Sequence, residues 1–256
     1  MIRIGICASP DKAETVKRIG YDYIELNLSA TAAMTDEEYA AVKASLESAG
    51  IKAEAFNVMI PQPYRLTGPD ADLVPVKEYL NRAIPRAADL GCQVIVFGSG
   101  GARRVPERFA AYDAWTQLVE YLKTAASVAR EHGITIVVEP LRQKETNIIH
   151  TVKEGAALAA AVNDPNVAVL ADTYHMYSEG EPFSVFTQVK DRLRHTHTAE
   201  PVTRAYPSEG DGTDYTEIFT ALKAAGYDGR ISVEGGCKDF EPEATAALAV
   251  LRKARG

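Results

Sequence analysis

Eight short runs of apolar and β-branched residues recur along the chain, each followed by a helical pattern, and this alternation limits the fold more than any other feature. The runs are RIGICA (3–8), YIELNL (23–28), KAEAFNV (52–58), QVIVFG (93–98), TIVVEP (135–140), VAVLAD (167–172), LRHTHT (193–198) and RISVEG (230–235). Between them, stretches such as TDEEYAAVKASLESAG (35–50) place apolar residues at i, i+3 and i+4 behind a threonine cap and an acidic first turn, as an amphipathic helix does. Gly50, Gly91, Gly133 and Gly226 stand where such helices close before the next strand. Eight strand–helix units in 256 residues, with no linker or low-complexity break, predict a single (β/α)8 TIM barrel spanning residues 1–256. A doubly wound open sheet is the competing architecture, but the GxGxxG fingerprint expected after its first strand is missing.

Composition narrows the class. With 46% hydrophobic and 25% charged residues, the chain has ample material for a core. Its 28 basic and 35 acidic residues give a net charge of −7, which argues against a nucleic-acid or anionic-membrane partner. Cys7, Cys92 and Cys237 have no CxxC spacing and suit reduced thiols rather than a disulfide framework or structural zinc. The start, MIRIGICASPDK, lacks the apolar run and cleavage site of a secretory leader, and no eighteen apolar residues are contiguous. A cytoplasmic location is expected.

In TIM barrels the chemistry gathers at the carboxyl ends of the strands. Four of the runs end in a group able to bind a metal: Glu139, Asp172, His197 and Glu234. Their separations of 33, 25 and 37 residues are each close to one β-α unit, so the four should come from neighbouring strands at one level and converge. The competing reading for any one of them is a helix cap or an ion-pair partner. Three carboxylates and one imidazole favour Mn²⁺, with Mg²⁺, Co²⁺ or Zn²⁺ as alternatives. A divalent ion that holds a carbonyl and its neighbouring hydroxyl acidifies the C–H between them, and a glutamate on either side can remove and return the proton on opposite faces. Glu139 and Glu234 are the candidates for that pair, and the outcome is epimerisation.

These residues also carry a resemblance. VVEPLRQKETNIIHTVKEG, LADTYHM, RHTHTAE and AAGYDGRISVEGG resemble the xylose-isomerase-like barrel superfamily of sugar isomerases and epimerases, and most closely its ketose 3-epimerase branch, from about the fourth strand onward. The resemblance implies that Glu139, Asp172, His197 and Glu234 bind the metal and that the two glutamates are the acid–base pair. It further implies that Glu145 and His175 bind substrate, and that Glu200, in an HTxE pattern, is a substrate-binding candidate beside them. An arginine of the seventh loop should also bind substrate, but Arg204 lies one residue farther from His197 than the family spacing. The two glycines of EGGCKDF, where a bulkier loop start is usual, point to an enlarged pocket.

The loop FGSGGARRVPERF after the fourth strand suggests something else. Its glycines could bring backbone N–H groups to an anion, with Arg103 and Arg104 clamping a carboxylate or phosphate, so that the substrate would be a sugar acid or sugar phosphate. The competing reading pairs both arginines with acidic neighbours. His132 reads as a helix-end cation, and His195, two residues before His197, as its support or as barrel filling. Phe97, Tyr174 and Tyr177 are candidates to line a sugar pocket, and the proline-rich segment NVMIPQPYRLTGPDAD reads as a lid or an interface.

The leading expectation is therefore a metal-dependent C3 epimerase acting on a small sugar, with a homo-oligomer left open. An aldose–ketose or hydroxypyruvate-type isomerase, an inosose dehydratase or a keto-glycoside lyase would share its first proton abstraction. An abasic-site endonuclease would need more histidines than the five present, and a non-catalytic sugar-binding barrel would show no C–H exchange.

Overall fold

Each of the eight runs folds as a strand, with a residue or two trimmed from most of the ends. In the computed structural model, which describes residues 1–256, these are β1 (Arg3–Cys7), β2 (Tyr23–Asn27), β3 (Ala53–Asn57), β4 (Val94–Phe97), β5 (Thr135–Val138), β6 (Val167–Asp172), β7 (Leu193–Thr198) and β8 (Arg230–Val233). All neighbours are parallel and β8 pairs with β1, so the sheet closes into a barrel and the doubly wound alternative is excluded. A closed parallel sheet must be covered outside and filled inside. The outer cover is made by α1 (Ala13–Ile19), α2 (Leu28–Ala33), α3 (Asp36–Ala49), α4 (Leu73–Asp89), α5 (Gly100–Arg103), α6 (Ala111–Glu131), α7 (Val152–Val162), α8 (Thr173–Glu179), α9 (Val185–Gln188), α10 (Tyr215–Ala224) and α11 (Phe240–Arg255). The cap read at Thr35 is a full capping box: Thr35 Oγ1 accepts from Glu38 N, and Glu38 Oε2 accepts from Thr35 N. At the other end of α3, Gly50 has φ 64°, a conformation that disfavours any residue with a Cβ.

The interior has two unlike halves. Ala55, Val94, Val96, Val137, Ala168 and Leu170, from β3 to β6, form a buried apolar cluster with Tyr23. The half built by β1, β2, β7 and β8 is polar, with Tyr23, Glu25, His195, His197 and Ser232 all buried. At the amino ends of the strands, Glu54 Oε2 accepts from Arg3 Nη1 at 2.6 Å and from Arg230 Nε at 2.8 Å, which closes the floor with paired charge. The Tyr23 ring crosses the interior so that its hydroxyl lies 2.7 Å from Ser232 Oγ. Gly5 allows this, because a Cβ there would overlap the ring.

Register then positions the mouth. A shift between Val169 and Leu170 sets Asp172 directly beside His197 on β7, and Thr198 pairs with Val233, one residue before Glu234. Because the chemistry depends on side chains seated on this interior packing, a change to the packing should be felt as lost stability. Gly5→Ala should cost about 1–3 kcal/mol through overpacking. Thermal melting should show a midpoint several degrees lower, partly recovered in a Gly5→Ala/Tyr23→Leu double variant; an unchanged midpoint would show that the ring has room to move.

Candidate active site

β6 is buried along its whole length and ends on Asp172, so that carboxylate is delivered to the barrel mouth by apolar packing below it. Asp172 is also the cap of α8. Its Oδ1 accepts from Tyr174 N at 2.8 Å, whereas Oδ2 is buried and has no hydrogen-bond partner. The two readings of the residue, cap and ligand, thus fall on different oxygens. Glu139 follows β5, tied by its N–H to Phe97 O at 3.1 Å, and Glu234 follows β8, tied likewise to Thr198 O at 3.0 Å. The ligand atoms of Glu139, Asp172, His197 and Glu234 all lie within 4.8 Å of one another, as the strand-end spacing predicts.

Three of those atoms, Glu139 Oε1, Asp172 Oδ2 and His197 Nδ1, are buried and unpartnered. A buried polar atom left bare costs about 1–3 kcal/mol, so three facing one point call for a common partner. Atoms no more than 4.8 Å apart can all reach one hard divalent cation through bonds of ~2.1–2.4 Å. The residues present therefore fit a single divalent ion.

The charges press on one another. Burial, and then the Glu234 charge, push the Asp172 carboxyl up to about 6 and also raise Glu139. Burial works to raise Glu234 too, but His197 and Arg204 outweigh it and hold that carboxyl at about 2. For His197 burial favours the neutral ring, yet Glu25 and Glu234 carry its pKa well above the ordinary value.

His175 stands one turn into α8. Its Nδ1 accepts from Arg142 N at 3.4 Å, so the neutral ring, favoured by burial, carries its proton on Nε2. That nitrogen is buried, unpartnered and 3.5 Å from Asp172 Oδ2. Arg204 reaches the cluster despite its extra residue of spacing, because its backbone turns at φ 60°. Its Nη2 lies 2.5 Å from Glu234 Oε2 and 3.7 Å from Asp172 Oδ2, and its Nη1 lies 3.7 Å from Glu145 Oε1. Both Arg204 and Arg142 lie over the Tyr174 ring, at 4.9 and 4.8 Å, and Glu145 also binds Arg142 Nε at 2.8 Å.

Other expectations are corrected. Glu200 does not face the cluster; its carboxylate accepts from Val202 N, Thr203 N and Thr203 Oγ1 and folds the turn that carries Arg204. Arg103 is fully buried and donates to Phe97 O and Ile149 O, so it is a strut between the loops after β4 and β5 rather than an anion clamp. Arg104 is exposed and donates to Glu145 O. With Arg103 spent on two backbone carbonyls inside the fold, the two arginines do not form a paired anion clamp. The glycines of that loop are seats for side chains: a Cβ on Gly98 would overlap Glu139 Oε2, and one on Gly101 would crowd Gln62. Phe97 packs in the core on Tyr121 and Tyr177 against Phe183, which leaves Tyr174 as the aromatic beside the cluster. The segment read as a lid or interface is fastened to the loop after β4, with Ile60 N donating to Ser99 Oγ and Leu66 N to Ala102 O.

Two residues were not singled out in the sequence. Glu25, in the middle of β2, accepts from the rings of His195 and His197, so His195 is support and not a ligand. Asn57, at the end of β3, donates to Glu234 Oε1 at 3.1 Å. The signal available for Glu25 was one ionisable residue inside the apolar run YIELNL. A cavity of about 300 Å³ adjoins the cluster, lined by Cys7, Ser9, Asn27, Thr31, Asn57 and Val58. A larger groove of about 620 Å³, between the carboxyl ends of α3 and α4, lies at the barrel's opposite end and contains none of these groups.

Comparison with known proteins agrees with the barrel fold. Residues 13–254 match a family described as xylose isomerase-like TIM barrel. An L-ribulose 3-epimerase of Methylomonas sp. (strain DH-1) is 31% identical over 249 residues, which are 92% of this chain and 81% of that protein. The crystal structure of a D-psicose 3-epimerase determined in the presence of D-fructose superposes with a TM-score of 0.88 at 24% identity, covering 100% of both chains, and is alike in fold. A D-allulose 3-epimerase from Methylomonas sp. in complex with D-allulose superposes with a TM-score of 0.86 at 25% identity, covering 99% of this chain and 97% of that one.

The seat for Glu139 provides a direct check on the cluster. Gly98→Ala should displace the Glu139 carboxylate and reduce divalent-ion affinity at least tenfold while leaving a cooperative fold, as measured by Mn²⁺ titration beside a thermal melt. Unaltered affinity would show that Glu139 is free to adopt another rotamer.

Proposed function

The chain belongs to the xylose isomerase-like TIM barrel family, and from that premise we propose that it is a divalent-metal-dependent sugar epimerase that inverts C3 of a ketose. The observation that carries the reading is the set of bare, buried ligand atoms of Glu139, Asp172 and His197 facing one point, with Glu234 completing the ring. Relatives named for 3-epimerisation of ketoses support the substrate class.

Glu139, Asp172, His197 and Glu234 would hold one ion, and a set rich in carboxylates suits Mn²⁺, then Mg²⁺ or Co²⁺. Bound there, the ion supplies a Lewis acid that polarises the ketose carbonyl and spreads the charge that develops as the neighbouring C–H loses its proton. Glu234, kept ionised by His197 and Arg204, is the group to take the C3 proton on one face, and Glu139, which burial and then the Glu234 charge push toward its protonated form, is the group to give up its own proton on the other. In the reverse direction they exchange roles. His175, neutral with its proton on Nε2, donates to a substrate oxygen. Arg204 and Glu145 supply a donor and an acceptor for the adjacent hydroxyls, with the guanidinium plane steadied on Tyr174.

The Mn²⁺-loaded protein incubated in D₂O with ketoses should lose the C3–H signal in proton NMR as a new epimer appears. Loss at C1 or C2 would make it an aldose–ketose isomerase instead, and silence across the ketoses would overturn the reading. Glu234→Gln should lower kcat by about 10²- to 10⁴-fold, the usual worth of a general acid or base; a fully active variant would remove Glu234 from the proton transfer.

Metal uptake should depend on pH in a stated direction. Asp172 has a raised pKa, and Glu25 and Glu234 keep the His197 ring protonated well above its ordinary range, whereas a metal needs both deprotonated. Binding must release those protons, so affinity should rise with pH, with His197 contributing up to about tenfold per unit through its raised range and Asp172 a further tenfold per unit below pH about 6. Mn²⁺ titrations at three pH values across that range test this, and a flat profile would count against the site.

A further inference from the structure

An imidazole can offer only one nitrogen to an ion, and the partner of the other nitrogen decides which. His197 Nε2 lies 3.0 Å from Glu25 Oε1, while Nδ1 has no hydrogen-bond partner and lies 3.4 Å from both Glu139 Oε1 and Glu234 Oε2. We propose that Glu25 is a positioning residue that accepts the Nε2 proton of His197 and so keeps the Nδ1 lone pair turned into the cluster. The assignment rests on the metal-site reading above.

Glu25 is itself held from the other side. Its Oε2 accepts from His195 Nε2 at 2.9 Å and from Ser232 Oγ at 2.6 Å. Ser232 in turn accepts from the Tyr23 hydroxyl at 2.7 Å, because its own proton is committed to Glu25. This chain of donors crosses β2, β7 and β8 inside the barrel, and each member is buried. His195 and His197 occupy alternate positions of β7, so both rings enter the barrel, 5.0 Å apart and 80° between planes, and converge on one carboxylate. A carboxylate takes protons from three donors without offering one of its own. A glutamine has a single acceptor oxygen, and its amide N–H would face another donor. Glu25 also places a negative charge behind the ring, which makes Nδ1 a stronger ligand.

The test compares wild type and Glu25→Gln by titrating Mn²⁺ and following the EPR signal of the free ion, with a thermal melt of each to show cooperative folding. The variant should bind about 10- to 100-fold more weakly. Ser232→Ala, which keeps the Glu25 charge and removes one of its anchors, should show a smaller loss. In ¹⁵N spectra of the Mg²⁺-loaded wild type, His197 should carry its proton on Nε2 and none on Nδ1, a result that needs no variant to fold. A folded Glu25→Gln protein that binds Mn²⁺ as tightly as wild type, or a His197 proton found on Nδ1, would overturn the proposal alone. A wild type that binds no divalent ion would overturn the metal-site reading and this proposal with it.

Discussion

Like charge held in a small buried volume is the constraint around which the upper half of the barrel is arranged. Two ionised carboxylates no more than 4.8 Å apart repel by at least about 3 kcal/mol at an effective dielectric near 20. Free side chains would swing apart, but these are rooted at the ends of β5, β6 and β8 in a closed sheet whose strands cannot separate. What surrounds them is compensation. Arg204 spans Glu234, Asp172 and Glu145, and His197 stands between Glu139 and Glu234. The polar half of the interior then backs His197 with Glu25, and the apolar half gives β5 and β6 a rigid seat.

The loops contribute by holding position more than by touching the cluster. Glu200 folds the turn that brings Arg204 inward, Arg103 ties the loops after β4 and β5, and Gly98 leaves space for Glu139. A charged residue in such a loop can thus be essential to the geometry and still have no contact with a ligand. The cavity beside the cluster is lined by hydroxyls, an amide pair, the Cys7 thiol, the Glu25 carboxylate and apolar groups, with no arginine or lysine.

The barrel was legible in the sequence because its signals are local: short apolar runs, helix caps and closing glycines at a repeating interval. The four cluster residues were legible because each ends such a run, where a barrel gathers its chemistry. Glu25 was not, since in YIELNL it looks like one polar position of a strand, and only closure of the sheet brings β2 across the interior to β7. Arg103 misled for the converse reason. Two arginines after a glycine-rich turn look like an anion clamp, and the carbonyl that occupies one of them comes from Ile149, 46 residues away. Asn57 shares that difficulty, because its partner Glu234 lies 177 residues away.

The shared carboxylate of Asp172 narrows what can stand at that position over the history of such a chain. One oxygen starts α8, the helix that carries His175, and the other completes the cluster, so the length of the side chain is fixed as well as its charge. Asparagine would begin the helix but bring no charge to the mouth. Glutamate would bring the charge on an arm too long to reach back to the Tyr174 amide. The cluster carboxylate and the start of the helix that carries His175 therefore depend on one side chain, and a substitution that spares one loses the other.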